Sequence, residues 1–386
     1  GLVCEGGKIP NAHIFRKPAD PQGECVQKKN SRESEMTDLL MSLPSNTVDA
    51  VLSGHSHTII HHWINDIPVI QGGARNQYYN LIYLTYDFTE NKFLRDRTRI
   101  EGPVPICPKV FANQGNCDGD ELPPAQGRGN LITPTFHGKL VLPDETTETS
   151  LKPLFEKYDP IINRVIGHAA RPVDHDRKKE SEMGNLVTDV IRKKVKADVA
   201  LFNPGGIRDG LNAGAITFGK LYSILPFENA ISVLKLTGKE LKLLIRIAEN
   251  GTRGYFPVSG LKLKLVHLNQ DAPSNDINND GHIEPWEINR LLDIHLENGE
   301  KIKDSRFYSL ATVDFLVTGG DDMAWIMSQI PSDRIQFDAG GLIRNAVIDF
   351  ISTNGPLNTV THPLVDPKNP RFIIVKTHTA KKRKTK

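Results

Sequence analysis

From Ser181 to Ile351 the chain alternates amphipathic helical stretches with short apolar runs, and that alternation confines it to the α/β or α+β classes. Ser181 can cap a helix on which Leu186, Val187, Val190, Ile191 and Val195 share one face. Val199 to Phe202 then reads as a buried strand, Ile231 to Leu236 as another, and Thr237 as the cap of a helix from Glu240 to Ala248 that Asn250-Gly251 ends. Leu261 to Leu268 and Phe307 to Val313 read as strands, and Leu342 to Ile351 as a helix. Earlier in the chain, Val48 to Leu52, Val69 to Gln71 and Leu81 to Tyr86 have strand character. The Pro-, Gly- and Asn-rich stretch from 101 to 143 reads as a long surface excursion. Thr146 to Tyr158 predicts a helix bridging two domains.

With 386 residues, 38% apolar plus 31 glycines, the chain can bury ordinary globular cores, so disordered and collagenous classes are excluded. No run approaches the roughly 18 consecutive apolar residues of a membrane helix. Lys and Arg number 48 against 46 Asp and Glu, a balance that gives no electrostatic case for nucleic acid or an anionic membrane surface. The basic end, Lys381-Lys382-Arg383-Lys384-Thr385-Lys386, reads as a solvated tail. Four cysteines fall as local pairs, Cys4 with Cys25 and Cys107 with Cys117, none of them in a CxxC. Two disulfides in an exported protein or four reduced thiols both fit that spacing.

Five motifs carry possible chemistry. Gly54-His55-Ser56-His57 directly follows an apolar strand, where two imidazoles one residue apart on a curved loop can address two adjacent metal ions or simply hydrogen-bond. His61 and His62 fall in a hairpin strand and read as structural. Glu180-Ser181-Glu182-Met183-Gly184-Asn185 opens a helix, with Arg177 just before it. Asn203-Pro204-Gly205-Gly206-Ile207-Arg208 follows a strand, so the backbone can approach a ligand beside a forked donor for phosphate or carboxylate. Leu225-Pro226-Phe227-Glu228-Asn229 and Asp314-Phe315-Leu316-Val317-Thr318-Gly319-Gly320-Asp321 each place a Phe at a turn, as core or as half of a clamp on a flat base. Asp276 to Glu287 fits the D-x-N-x-D-G-x-I-x-x-x-E loop of an EF-hand, or an Asn/Asp-rich turn that binds nothing. The segment after it, Trp286 to Ile294, predicts a helix with Leu291 and Leu292 turned inward; Asn269 to Ser274 before it does not.

In this order the blocks resemble the 5′-nucleotidase family, which includes 2′,3′-cyclic nucleotide phosphodiesterases and UDP-sugar hydrolases. The resemblance runs from about Val48 to Trp325. It implies the C-terminal part of a four-layer metallophosphoesterase sandwich (residues 1–143), a linker helix (144–159), a mixed α/β nucleotide-recognition domain (160–378) with the EF-hand-like insertion, and a basic tail (379–386). It implies a phosphoester hydrolase of nucleotides using two divalent ions such as Zn²⁺ or Mn²⁺, periplasmic or secreted, with a nucleotide substrate, no nucleic-acid partner and no membrane span. By the same resemblance His55 and His57 each face one metal, Arg177 and Arg208 hold phosphate, and Asn203 and Asn229 lie near the base. Phe227 and Phe315 stack on the base and Asp321 meets the ribose.

The Asp-x-His, Gly-Asp and Asn-His blocks of such enzymes have no counterpart, so no catalytic residue is assigned. Gly1-Leu2-Val3-Cys4 resembles the residues following a further metal-binding His. The chain is thus expected to be the C-terminal portion of a longer enzyme, inactive alone. The alternatives are a 2′,3′-cyclic nucleotide phosphodiesterase or UDP-sugar hydrolase, or a non-catalytic, calcium-stabilised nucleotide-binding module. In the EF-hand-like loop, Asp276, Asn278, Asp280, Glu284 and Glu287 would supply side chains and His282 its carbonyl to one Ca²⁺.

Overall fold

The computed structural model describes residues 35–376 apart from 45, 46, 58, 75, 114, 116 and 118–128. Cys4, Cys25 and the basic tail lie outside the described residues. The described residues divide into two compact units that meet in the sequence at Leu151 and Lys152, inside the helix Glu145–Ile162. The architecture is mixed α/β, as the alternation predicts.

In the first unit, Ile59–Ile64 and Ile67–Gly72 form an antiparallel hairpin around Asn65-Asp66, both at positive φ (50° and 59°), a conformation Asn and Asp tolerate best after glycine. Val51–Leu52 adds in parallel to Ile67–Gly72. Leu40 of the helix Glu35–Ser42 packs with Ile60, Ile64, Ile67 and Val69. The stretch from 101 to 143, expected as a long surface excursion, carries short strands of its own. Arg99–Pro105 pairs with Tyr78–Tyr83, and two-residue ladders join Val110–Phe111 to Leu131–Ile132 and Thr135–Phe136 to Lys139–Leu140. A disulfide joins Cys107 to Cys117.

The second unit is built on a five-stranded sheet. In it Phe307–Val313 lies parallel to Val199–Leu201 and antiparallel to Ile231–Thr237 over seven paired residues. Val258–Ser259 and Ile335–Gln336 form the edges. Helix Glu182–Val195 buries Met183, Leu186, Val187, Val190 and Ile191, which recur at helical spacing. Ser181 caps it, its Oγ accepting from the Gly184 N–H at 3.1 Å. Helix Gly238–Ala248 begins with a capping box. The Thr237 Oγ1 accepts from the Glu240 N–H at 3.3 Å, and the Glu240 carboxylate accepts from the Thr237 N–H at 2.7 Å.

The helix expected over Trp286–Ile294 is absent. A 3₁₀ turn at Pro285–Glu287 leads into the strand Leu291–Leu296, which pairs antiparallel with Leu261–Val266. Phe372–Val375 lies on the other side of that strand. Leu291 is half-buried and Leu292 faces solvent, so only one of the two expected inward side chains packs. Leu291 and Ile294 have helical spacing while Leu292, Ile294 and Leu296 alternate, so the pattern admits either element, and pairing with the 261–266 strand decides between them.

Candidate functional site

Two parallel strands, Val199–Leu201 and Phe307–Val313, release the chain at the same end of the sheet. Ile231, which opens the antiparallel neighbour, pairs with Val313 at that end. The loops 202–208, 227–230 and 314–321 therefore converge beyond the carboxyl ends of parallel strands, where open sheets bind ligands. Two hydrogen bonds join the second and third loops. The Ala230 N–H donates to Asp314 Oδ2, and the Asp314 N–H donates to the Ala230 carbonyl, both at 3.1 Å. They hold Phe227 and Phe315 on neighbouring loops, 49% and 41% exposed.

Asp321 is the hub of the polar side. Its backbone is left-handed (φ 50°), as is that of Asp322 (φ 71°), behind Gly319 (φ 99°). Asp tolerates that region better than most residues, and the turn it makes here sets where the Asp321 carboxylate lies. The buried Asn203 donates through Nδ2 to Asp321 Oδ2 at 2.9 Å, leaving its own Oδ1 buried without a hydrogen-bond partner. The pKa of Arg177 is lowered, by burial first and then by the neighbouring Arg208 and Arg253, with Asp321 opposing; these four charges form one cluster. The Arg208 guanidinium lies 6.0 Å from the Phe227 ring centre and donates to the Gly205 carbonyl at 2.9 Å. The ring of Phe315 lies against the Cα of Gly320. Asn229 is half-buried, and its carbonyl accepts from the Ile343 N–H at 3.0 Å, which anchors the loop to the last helix.

Arg253 is the residue that sequence reasoning missed. Its Nε lies 3.2 Å from Asp321 Oδ1. Its only signal in the sequence is an Arg in the Gly251-Thr252-Arg253-Gly254 loop, a common surface pattern.

In the first unit, His55 and His57 are exposed, each with a left-handed backbone (φ 73° and 58°) on the loop following Val51–Leu52. The buried Gln71 secures that loop. It donates to Ser56 Oγ at 2.8 Å and accepts from Ser53 Oγ at 3.2 Å. Imidazoles suit Zn²⁺ or Mn²⁺. Among the described residues, however, no group of three or more His, Cys, Asp or Glu side chains is gathered to hold an ion, so these two histidines do not make a metal site by themselves. His61 and His62 are buried in the hairpin, as expected. Burial, and then the adjacent His62, depress the His61 pKa to about 4.

The Asp276–Glu287 loop is organised by its own side chains. Asp276 Oδ1 and Oδ2 accept from the N–H groups of Asp280 and Gly281 at 3.2 and 2.9 Å, and Asp280 Oδ1 accepts from the His282 N–H at 2.8 Å. Gly281 (φ 86°) makes the sharp turn. The oxygen donors suit a hard cation, but the Glu287 carboxylate is engaged by the N–H groups of Ile277, Asn278 and Glu284. Trp286 stacks on Trp325 with ring centres 5.8 Å apart, tying the insertion to the helix that follows Asp321.

Comparison with known proteins agrees with the fold. Residues 165–328 match the family model described as 5′-nucleotidase, C-terminal domain. The trifunctional nucleotide phosphoesterase protein YfkN of Bacillus subtilis is 32% identical over 310 residues, covering 74% of this chain and 18% of that protein. The cell wall protein Lmo0130 of Listeria monocytogenes is 24% identical over 299 residues, covering 72% of this chain and 32% of that protein. The crystal structure of a 5′-nucleotidase precursor from Thermus thermophilus superposes with a TM-score of 0.59 at 19% identity, covering 89% of this chain and 62% of that one, and so shares the fold. Residues 165–328 are thus a mixed α/β domain of the 5′-nucleotidase C-terminal type, and the chain as a whole is similar to 5′-nucleotidase-family proteins. It spans less than a third of the length of these two curated relatives.

Proposed function

We propose that the chain recognises nucleotides as part of a 5′-nucleotidase-type phosphoester hydrolase. The carrying observation is the convergence, beyond one end of the sheet, of two exposed rings (Phe227, Phe315) with the Asn203–Asp321 pair and Arg177 and Arg208. In this reading the rings clasp the base, Asp321 accepts from ribose hydroxyls, Asn203 and Asn229 lie by the base, and the two arginines take the phosphate. A guanidinium fork matches phosphate oxygens in geometry as well as charge.

His55 and His57 would each offer a neutral imidazole to one of two divalent ions, the other ligands coming from outside the described residues. Such ions would supply phosphate polarisation and an activated water. The Asp276–Glu287 loop is further proposed to take Ca²⁺, on the strength of its donor pattern. An extracytoplasmic location, periplasmic or secreted, is supported by the Cys107–Cys117 disulfide. Mass spectrometry finding that pair fully reduced in protein isolated from its native cells would contradict the location.

Calorimetric titration with AMP and with adenosine tests the phosphate assignment. Arg208→Ala should weaken AMP about 10- to 150-fold, the worth of charged hydrogen bonds of about 1.5–3 kcal/mol, and should weaken adenosine far less. Equal loss for both ligands would refute it.

A further inference from the structure

The Asp321 carboxylate is held from two sides by donors on different loops. Asn203 donates to Oδ2 at 2.9 Å, and the Arg253 Nε meets Oδ1 at 3.2 Å. The Asp321 side chain is only 11% exposed, whereas that of Arg253 is 44% exposed. The enclosed carboxylate is therefore held from the water side by the exposed guanidinium. Each carboxylate oxygen has two acceptor directions. With one direction on each oxygen taken by Asn203 or Arg253, one remains on each, and two neighbouring acceptors of that kind match a vicinal diol.

The loop bearing Arg253 is itself secured against the phosphate side. Gly254 (φ 95°) packs so closely on Arg177 that a Cβ there would lie 2.3 Å from the Arg177 carbonyl oxygen. The Tyr255 N–H donates to the same carbonyl at 2.8 Å. Residues 253–255 thus join the backbone of the proposed phosphate arginine to the carboxylate of the proposed ribose contact.

We infer that Arg253 is a positioning residue that sets sugar specificity: by pinning Asp321 Oδ1 it aligns the carboxylate with both ribose hydroxyls, so that the pocket distinguishes ribonucleosides from 2′-deoxyribonucleosides. The inference rests on the nucleotide-recognition reading above. Without Arg253 the carboxylate is held at Oδ2 alone and turns about its terminal torsion, which is broad for Asp. The second hydroxyl then meets no fixed acceptor. Arg253→Gln keeps a neutral donor and should fall between wild type and Arg253→Ala.

The test is calorimetric titration of the full chain and both variants with adenosine and 2′-deoxyadenosine, with thermal unfolding as the check on folding. Wild type should prefer adenosine by about tenfold, the worth of one charged hydrogen bond. Arg253→Ala should bring the ratio close to one while still binding 2′-deoxyadenosine, with Arg253→Gln intermediate. A wild type that prefers adenosine and an Arg253→Ala variant with the same ratio would overturn this inference alone. Equal weakening of both nucleosides, a purely structural effect, would overturn it as well. A wild type that binds neither nucleoside would remove the nucleotide reading and this inference together.

Discussion

Gly320→Ala separates ligand recognition from folding. Gly320 has no left-handed backbone to protect, so alanine meets no torsional objection there. Its Cβ, however, would lie 2.4, 2.5 and 2.6 Å from three carbons of the Phe315 ring, more than 1 Å inside ordinary contact. One of the two must move, and the ring, 41% exposed at the end of two rotatable bonds, is the softer partner. Because the ring sits at a partly exposed position and can swing outward, folding stability should change by less than about 1 kcal/mol. The displaced ring can no longer stack on a base in the same place, a loss of about 1–3 kcal/mol, or roughly 5- to 150-fold in affinity. Calorimetry with AMP, alongside thermal unfolding, reads both quantities. A variant that folds like wild type and binds AMP equally well would refute the placement of Phe315 against the base.

Two further outcomes follow from buried and bound charge. Folded His61 titrates near pH 4 against about 6.5 when unfolded, so its neutral form is compatible with the fold and its cation is not. Stability is full above pH 6.5 and falls by up to about 3 kcal/mol as the pH drops to 4, because only the unfolded chain takes up the proton in that window. His61→Gln should flatten that part of the stability curve measured by denaturant unfolding, and an unchanged slope would contradict the assignment. If the Asp276–Glu287 loop takes Ca²⁺, calcium at ten times its dissociation constant should add about 1.4 kcal/mol. Identical unfolding temperatures in millimolar calcium and in chelator would leave the loop held by its own hydrogen bonds.

The elements that position the site were legible where local chemistry is strong. Ser181 and Thr237 are caps because their hydroxyls reach backbone N–H groups three residues on, whatever the rest of the fold does. The apolar runs ending at Phe202 and Val313 are strands because both faces are covered. Leu291–Leu296 was misread because its pairing partner, Leu261–Val266, lies some thirty residues earlier and no local period reveals it. Arg99–Pro105 hid in a Pro- and Gly-rich stretch for the same reason. Arg253 was illegible in a different way. An arginine between glycines is common on any surface, and only the left-handed turn at Asp321 brings a carboxylate to it.

The central claim is that residues on separate loops beyond one end of a sheet form a single nucleotide pocket. Titration of the full chain with AMP, compared across wild type, Phe227→Ala and Asp321→Ala, tests it most directly. The account predicts saturable one-to-one binding by wild type, with each substitution weakening it at least about fivefold, because one ligand spans both loops. Saturable binding that neither substitution alters would contradict it.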